Sequence, residues 1–509
     1  MLSSQHHDLP RICVALSGDN MPVRAAQLAP GFPFLEFRLD TAPDPFEAIF
    51  EMGAFLRKHP AVRAIATCRR TANGGSFHGT AADEIEMLRQ SIAVGAHIVD
   101  LSLETAEEAA INPHVLAPLR RGPNALLLSW HDFHGTPPLA PVLERMHTIG
   151  ADLYKIVPTA TSLRDSFVLL DLLDGHAADR NLIAISMGVP GILTRVLGPR
   201  FGSRFTFASG ATGAETAPGQ LSAHSLRDLY RIDAITPATE LYGVFGKPIS
   251  GSRSPVMLNT AFHTAGLNGS KDAVYLPLET GDAAELFATF DRLHLSGASV
   301  TMPLKETILP QLHNLEPQAQ ALGAANTLTR QPDGTLRGSN TDVLGILAPL
   351  EARTSLPGKT ALVLGAGGVA RAAVFALQQR GCRVTITNRT ESRAETLAAA
   401  TGASFLRASK VPGKHFDVVL NGTPYGMPTS VMNAPINFAT TRCDLFFDLV
   451  YNPIETPLIR SARQHSIAVI PGVDMFLAQG AAQYETWTGH AAPREAMRTA
   501  VYAALVQKD

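Results

Sequence analysis

Lys155 lies inside Asp152-Leu153-Tyr154-Lys155-Ile156-Val157-Pro158, a β-rich apolar run where a charge is out of place. A lysine there must be paired, or kept partly neutral by burial and used as a nucleophile. His131, in Ser129-Trp130-His131-Asp132-Phe133, closes the preceding apolar run. Such a histidine by itself is more often structural; a lysine one strand away reverses that and suggests Schiff-base chemistry with a proton shuttle. Three arginines recur at the ends of other runs: Arg38 in Glu36-Phe37-Arg38, Arg69 after Ala64–Cys68, and Arg195 in Met187-Gly188-Val189-Pro190-Gly191-Ile192-Leu193-Thr194-Arg195. Converging guanidinium groups suit a carboxylate, which they bind as a bidentate fork. Glu36 and Arg38 share one face of their strand, and a buried Glu36–Arg38 ion pair is the plainer reading of the two. Thr216-Ala217-Pro218-Gly219-Gln220 adds a hydroxyl, backbone donors and an amide.

The elements that must position these residues are legible as apolar, β-rich runs separated by helical stretches. They are Ile12–Leu16, Phe34–Leu39, Ala64–Cys68, Ile98–Leu103, Ala125–Trp130, Leu153–Val157, Leu182–Met187 and Phe205–Ala208. Eight such runs in about 200 residues predict a (β/α)8 barrel, with Lys155 in its sixth strand and His131 at the rim of its fifth. A loop, a short helical piece at Ser222–Leu229 and a boundary near residues 232–240 follow. A new α/β unit opens at Leu241-Tyr242-Gly243-Val244-Phe245-Gly246.

In that second half, Thr360-Ala361-Leu362-Val363-Leu364 runs directly into Gly365-Ala366-Gly367-Gly368-Val369-Ala370, a G-x-G-x-x-A turn from strand to helix. The glycines permit a tight turn and close approach of a pyrophosphate, and Ala370 permits close helix–sheet packing. The next strand, Arg383–Thr387, ends in Asn388-Arg389-Thr390-Glu391-Ser392-Arg393. An NAD site usually places an acid there; Asn388 with Arg389 and Arg393 suits a 2′-phosphate, so NADP is expected. Lys305, just after Val300-Thr301-Met302-Pro303-Leu304, and Asp342, in Asn340-Thr341-Asp342, would each be an ordinary surface charge if met singly.

The first half carries Glu36-x-Arg38-x-Asp40, Thr67-x-Arg69, Ser129–Phe133, the lysine strand, Met187-Gly188-x-x-Gly191-x-x-x-Arg195 and Ala217-Pro218-Gly219-Gln220 in that order. Together these resemble type I 3-dehydroquinate dehydratase over about 220 residues. The resemblance implies that Lys155 forms an imine with the C3 ketone of 3-dehydroquinate. It also implies that His131 removes a C2 proton and then protonates the departing C1 hydroxyl. Glu36, Arg38, Arg69, Arg195, Thr216 and Gln220 would hold the carboxylate and hydroxyls. No metal is expected. Two departures are Asn73, where the family usually has Glu before a Gly-Gly pair, and Thr216, where it often has Ser.

The second half resembles shikimate dehydrogenase over about 265 residues. The resemblance rests on Gly246-Lys247-Pro248-Ile249-Ser250-Gly251-Ser252-Arg253-Ser254-Pro255, the Lys305 and Asp342 segments, and Gly323-Ala324-Ala325-Asn326-Thr327. It continues through Asn421-Gly422-Thr423-Pro424, Asp448-Leu449-Val450-Tyr451-Asn452-Pro453 and Gly472-Val473-Asp474-Met475-Phe476-Leu477-Ala478-Gln479. It implies hydride transfer between NADPH and 3-dehydroshikimate, with Lys305 and Asp342 handling the proton at the carbonyl oxygen. Ser252, Ser254, Thr301, Asn326, Tyr451 and Gln479 would bind the substrate. Gly365, Ala366, Gly367, Gly368, Val369, Ala370, Asn388, Arg389, Thr390, Arg393 and Gly472 would bind NADP. Gly251 stands where many members carry His.

Both resemblances together describe consecutive reactions, in the order found in plant-type fusions. They imply a barrel over residues 1–232, a substrate-binding domain over 240–345, a Rossmann NADP-binding domain over 346–480, and C-terminal helices over 481–509 packing back on the substrate domain. The alternatives are an NAD-using quinate/shikimate dehydrogenase in the second half, a class I aldolase-like barrel in the first, or a regulator reusing both folds as ligand sensors. Arg389 and Arg393 argue against the first of these. Intact Lys155, His131, Lys305 and Asp342 argue against the last.

Composition agrees with a multidomain enzyme. A chain of 509 residues that is 45% hydrophobic can fill several cores, and a net charge of −2 offers no general attraction to nucleic acid or anionic membrane. The partners expected are small-molecule substrates. The cysteines Cys13, Cys68, Cys382 and Cys443 form no C-x-x-C pair and read as buried filler. No apolar stretch reaches the roughly 20 residues that span a bilayer. The short segment before the first strand lacks an apolar signal core or an Arg-rich pattern, so a soluble cytoplasmic protein without a transit peptide is expected.

Overall fold

The computed structural model describes residues 9–110, 113–120, 124–176, 181–211, 213–266, 272–428 and 430–506. The first sheet comprises β1 (Ile12–Leu16), β2 (Phe34–Arg38), β3 (Arg63–Thr67), β4 (Ile98–Ser102), β5 (Ala125–His131), β6 (Leu153–Val157), β7 (Leu182–Ala184) and β8 (Thr206–Ser209). All paired strands are parallel, and β8 returns to β1, giving an eight-stranded near-barrel. The seam lies between β7 and β8, where the Arg204 N–H donates to the Leu182 carbonyl at 2.9 Å. The seventh strand stops at Ala184 rather than at the expected Met187. Beyond it bonds to the β6 side persist, from the Ile185 N–H to the Ile156 carbonyl at 3.2 Å and from the Met187 N–H to that of Pro158 at 2.8 Å, while on the other side the Ser186 N–H turns to Thr194 Oγ1 at 2.8 Å.

Alternation along the strands sorts side chains into two cores. Phe34, Ile65, Ile98, Ala125, Leu127, Leu153, Ile183 and Phe205 form an apolar floor inside the barrel. Leu35, Phe37, Ala64, Val99, Leu126, Leu128 and Ile156 face the surrounding helices. The period of two therefore puts Glu36, Thr67, Asp100, Ser129 and Lys155 on the inner face, above the floor. Two helices matter for the site: α1 (Leu163–Gly175) and α2 (Ile192–Leu197).

The second sheet contains β9 (Glu240–Gly246), β10 (Ala273–Glu279), β11 (Gly297–Val300), β12 (Asn314–Leu315), β13 (Thr327–Arg330) and β14 (Leu336–Ser339), ordered β10-β9-β11-β13-β14-β12. Helices α3 (Ser254–Gly266) and α4 (Ala283–Arg292) flank it. The third sheet is wholly parallel: β15 (Thr360–Leu364), β16 (Arg383–Thr387), β17 (Ser404–Phe405), β18 (His415–Asn421), β19 (Arg442–Asp448) and β20 (Ala468–Ile470), ordered β17-β16-β15-β18-β19-β20. Renumbered from β15, this is the doubly wound order 3-2-1-4-5-6, whose ligand crevice opens where the order reverses, between β15 and β18.

Helices α5 (Asp342–Glu351), α6 (Gly368–Gln379), α7 (Gly472–Thr488) and α8 (Arg494–Val506) complete the second half. A division between 345 and 346 cuts α5, and one between 480 and 481 cuts α7. From Val473 onward, α7 joins Tyr242, Met257, Tyr275 and the α8 residues Met497 and Val501 in one core, so the return to the second sheet begins at the start of α7. All four cysteines are free and buried. Among the described residues, no helix is long and apolar enough to cross a membrane.

Candidate active sites

At the C-terminal end of the barrel, a cavity is lined by Glu36, Arg38, Arg69, His131, Lys155, Arg195, Thr216 and Gln220 together with Gly74, Phe133 and Phe207. Eight residues distant in sequence thus meet at one rim, as parallel strands ending on the same side require. Lys155 is 3% exposed and paired: its ammonium donates to Asp100, lies 3.8 Å from Glu36 Oε1, and sits 4.3 Å from the Phe207 ring centroid. Lys155 is therefore both buried and paired.

Asp100 is the residue that sequence reasoning missed. Besides Lys155 it accepts from Ser129 Oγ at 2.5 Å and pairs with Arg69 at 3.3 Å. Burial alone would raise its carboxyl, but Lys155 and Arg69 outweigh this and hold it below the usual range. The anticipated Glu36–Arg38 pair does not form. Arg38 instead makes a two-pronged bond to Asp40 at 3.0 and 2.9 Å, while Glu36 accepts from Thr67 Oγ1 at 2.7 Å. Arg38 and Asp40 are neighbours at the rim, whereas Glu36 lies one layer deeper.

Arg195 is 1% exposed and donates to the Phe207 carbonyl at 3.2 Å. Burial without a carboxylate beside it lowers its guanidinium to about 10. The Nε atoms of both Arg69 and Arg195 are buried without a hydrogen-bond partner among the described residues, an arrangement that costs free energy unless a ligand supplies the acceptor. Lys155, Arg38, Arg69 and Arg195 face three carboxylates, Glu36, Asp40 and Asp100. With His131 neutral, the cavity is one negative charge short.

The His131 imidazole has no hydrogen bond to any described residue. Its enclosed position first, then Arg69, Lys155 and Arg38, hold its pKa well below the usual range, leaving a neutral ring. Phe133 lies beside it, ring centroids 6.1 Å apart. The loop carrying Asn73 closes over that phenyl ring: Gly74 has φ +78°, and a Cβ on it would fall 2.2 Å from Phe133 Cε2. Asn73 itself points to the barrel wall, donating to Thr105 Oγ1 at 2.9 Å, and Thr105 donates to the buried Glu84 at 2.6 Å. Thr216 bonds to Gln220 through both N–H and Oγ1, at 2.7 and 3.1 Å, which fixes the last loop.

The second site lies where the second and third sheets face each other. Lys305 Nζ donates to Asp342 Oδ2 at 2.6 Å, and the buried Asn326 amide donates to Asp342 Oδ1 at 2.9 Å. Asn340 Oδ1 accepts from the Asp342 N–H at 2.9 Å. Gln483, also missed in the sequence, donates to the Asn326 carbonyl at 3.1 Å and to Thr327 Oγ1 at 3.0 Å from helix α7. One turn earlier on that helix lies Gln479. Tyr451 stacks on Phe476, centroids 4.3 Å apart, and burial raises its phenol. Ser252 Oγ accepts from the Ser254 N–H at 3.3 Å, and Thr301 follows β11 against Gly246.

The β15–α6 turn tests the fit of a dinucleotide. Gly365 has φ +111°, and a Cβ there would lie 3.0 Å from the Gly422 carbonyl, so only glycine fits. Nothing lies within 4 Å of a Cβ placed on Gly367 or Gly368, which leaves the start of α6 open to a phosphate. Ala366 and Val369 flank that turn, while the methyl of Ala370 is the contact against Gly422. Asn388 donates to the Thr390 carbonyl at 3.0 Å, and Arg389 and Arg393 are exposed and form no ion pair with any of the described residues. These residues fit NADP. Gly472 is placed differently, pressed against the Val450 carbonyl, where a Cβ would come within 2.3 Å; it packs α7 against the Tyr451 loop. Arg371 of α6 reaches Glu306 at 3.5 Å, joining the nucleotide helix to the Lys305 segment across the cleft.

Family models match in sequence order. Type I 3-dehydroquinase covers residues 12–237, the shikimate dehydrogenase substrate binding domain 244–328, shikimate/quinate 5-dehydrogenase 348–442, and the shikimate 5′-dehydrogenase C-terminal domain 472–502. The chain is 31% identical over 519 residues to the chloroplastic bifunctional 3-dehydroquinate dehydratase/shikimate dehydrogenase of Arabidopsis thaliana, covering 96% of this chain and 84% of that one. It is 39% identical to the shikimate dehydrogenase (NADP(+)) of Oleidesulfovibrio alaskensis, over 52% of this chain and 96% of the relative. Among solved structures, dehydroquinate dehydratase and shikimate dehydrogenase from S. pombe AroM aligns over 97% of this chain and 99% of that one, at 25% identity and TM-score 0.45. With its two halves matched in order and a relative alike along almost its whole length, the chain belongs to the family of bifunctional type I 3-dehydroquinate dehydratase/shikimate dehydrogenases.

Proposed function

We propose that the two sites act in series, the product of the barrel being the substrate of the second half. The first reaction dehydrates 3-dehydroquinate to 3-dehydroshikimate; the second reduces 3-dehydroshikimate to shikimate with NADPH. The observation that carries this reading is the barrel cavity one negative charge short, with Lys155 at its base, in the same chain as an independent Lys305–Asp342 pair facing a dinucleotide crevice.

In the barrel, the substrate carboxylate supplies the missing charge and the acceptor for Arg195 and Arg69. Asp100, in contact with Lys155, holds the amine in place; the proton the ammonium sheds before attack passes to the neutral His131 and leaves with the water of imine formation. The amine adds to the C3 ketone and water leaves, giving an iminium. This electron sink makes the C2 proton acidic enough for neutral His131 to take. The same proton then leaves with the C1 hydroxyl as water, and hydrolysis of the imine restores Lys155. Glu36, Arg38, Thr216 and Gln220 hold the hydroxyls and carboxylate.

In the second half, the turn at Gly365–Ala370 would hold NADPH, which when bound would supply a hydride for the ketone carbon. Lys305, kept beside Asp342, donates the proton to the carbonyl oxygen, and Asn326 fixes the carboxylate that orients it. Ser252, Ser254, Thr301, Tyr451 and Gln479 surround the substrate. Arg389, Arg393, Asn388 and Thr390 bind the 2′-phosphate, and Gly365 to Ala370 bind the pyrophosphate. The barrel ends near residue 232, the substrate-binding unit opens near 240, and the nucleotide-binding unit follows α5.

Borohydride added with 3-dehydroquinate should fix one stable adduct on Lys155 and abolish dehydration, with shikimate oxidation by NADP+ retained. Dehydration that survives borohydride and substrate together, or that a chelator removes and a divalent metal restores, would exclude the imine route.

A further inference from the structure

The barrel does not stand beside the dehydrogenase on a loose tether. Arg11 donates to the Ile232 and Ile235 carbonyls at 3.0 and 3.3 Å, and Arg200 donates to those of Thr239 and Pro237 at 2.8 and 2.9 Å, so both ends of the linker are pinned to the barrel. Beyond the linker, buried residues of β10 and α4, including Leu276, Leu278, Leu286 and Phe290, belong to the same apolar cluster as the outer barrel core.

The polar contacts across this junction fall on one barrel helix. Glu285 of α4, 8% exposed, accepts from the Arg164 N–H in the first turn of α1, at 3.3 Å. Seven residues further along both helices, Arg292 of α4 pairs with Asp171 of α1. The equal spacing means that the two helices run parallel, side by side, held at two points two turns apart. Helix α1 in turn holds the segment that leads to Arg195: the buried Ser166 Oγ donates to the Pro190 carbonyl at 2.8 Å, and Gly191 opens α2 directly afterwards. Helix α2 also packs against β10 itself.

Arg195 is a buried guanidinium with an unpartnered Nε, carried on a helix of six residues. So short a helix does not hold a desolvated cation in place by its own hydrogen bonds; the elements under it must do so. We infer that the dehydrogenase's α4 and β10 are the seat of the dehydratase's carboxylate-binding helix, with Glu285 and Arg292 acting as positioning residues for Arg195 through α1 and Ser166. One enzyme is thereby a structural part of the other's substrate site. This rests on Arg195 binding the 3-dehydroquinate carboxylate.

The test uses the full chain. Glu285→Ala combined with Arg292→Ala should raise KM for 3-dehydroquinate about three- to tenfold with kcat within twofold, because imine and proton chemistry at Lys155 and His131 are untouched. KM and kcat for shikimate and NADP+ should not change, although both substitutions lie in the dehydrogenase half. Glu285→Gln, which keeps a carbonyl acceptor for the Arg164 N–H, should stay near the parent. Ser166→Ala, inside the barrel, should reproduce the KM effect. An unchanged KM in the double variant overturns the inference, as does a parallel fall of both activities, which would signal lost folded protein rather than a displaced helix. Arg195→Lys separates the two levels. If it raises KM while the α4 variants do not, the seat is wrong and the site stands. If it leaves KM unchanged, the Arg195 assignment fails and the inference with it.

Discussion

Lys155 was conspicuous because a charge interrupted an apolar strand, and Asp100, in Ile98-Val99-Asp100-Leu101-Ser102, carried the same signal. Its importance is that of partner, and partnership between β4 and β6 is a property of the closed barrel. Glu36–Arg38 shows the reverse failure, in which shared face suggested a pair that the layer spacing prevents. His131 permits a prediction at this scale. A base must be neutral, and a lowered pKa keeps it neutral as pH falls, so the acid limb of dehydratase kcat/KM should lie below the unperturbed value of about 6.5. Arg69 is the largest single charge holding it down. Arg69→Gln should therefore move that limb upward, besides weakening substrate binding; a limb that stays put would show that another group is the base.

Elements were more legible than partners. The strand runs stand where alternation and β-branched content placed them, and the turn at Gly365 could be read because glycine there has no substitute. The early end of β7 was not legible, since on the side away from β6 the Ser186 N–H goes to Thr194 Oγ1, eight residues on. Nor was the crossing of α5 and α7, which bear Asp342 and Gln479. They approach at Gly345, where a Cβ would lie 2.9 Å from Gln479 Cβ and 3.1 Å from the Met475 carbonyl. Gly345→Ala must push them apart. It should cost about 1–3 kcal/mol of stability in the second half and lower shikimate oxidation at least tenfold, with dehydration unchanged. Equal activity in the two proteins would mean that the crossing does not set the site. At the end of β16, Asn388→Asp with Arg389→Ala should narrow or invert a preference for NADPH over NADH of about tenfold to a few hundredfold, and salt should weaken that preference in the parent. Comparable kcat/KM with both nucleotides in the parent at low salt would contradict the assignment.

At the scale of the molecule, order along the chain was readable from motifs, whereas the shared core between barrel and substrate-binding sheet was not, because nothing in α4 or β10 marks which apolar face meets another domain. The residues proposed for each reaction lie wholly within one half, so the two chemistries should separate by point substitution even though the two folds lean on each other. The most direct measurement is to give one purified chain 3-dehydroquinate and NADPH and follow NADPH, 3-dehydroshikimate and shikimate together. The parent should form shikimate with one NADPH consumed per 3-dehydroquinate. Lys155→Ala should leave 3-dehydroquinate untouched yet reduce added 3-dehydroshikimate, and Asp342→Ala should stop at 3-dehydroshikimate. No shikimate from the parent, or loss of both steps from either substitution in a folded chain, would contradict two sites working in series.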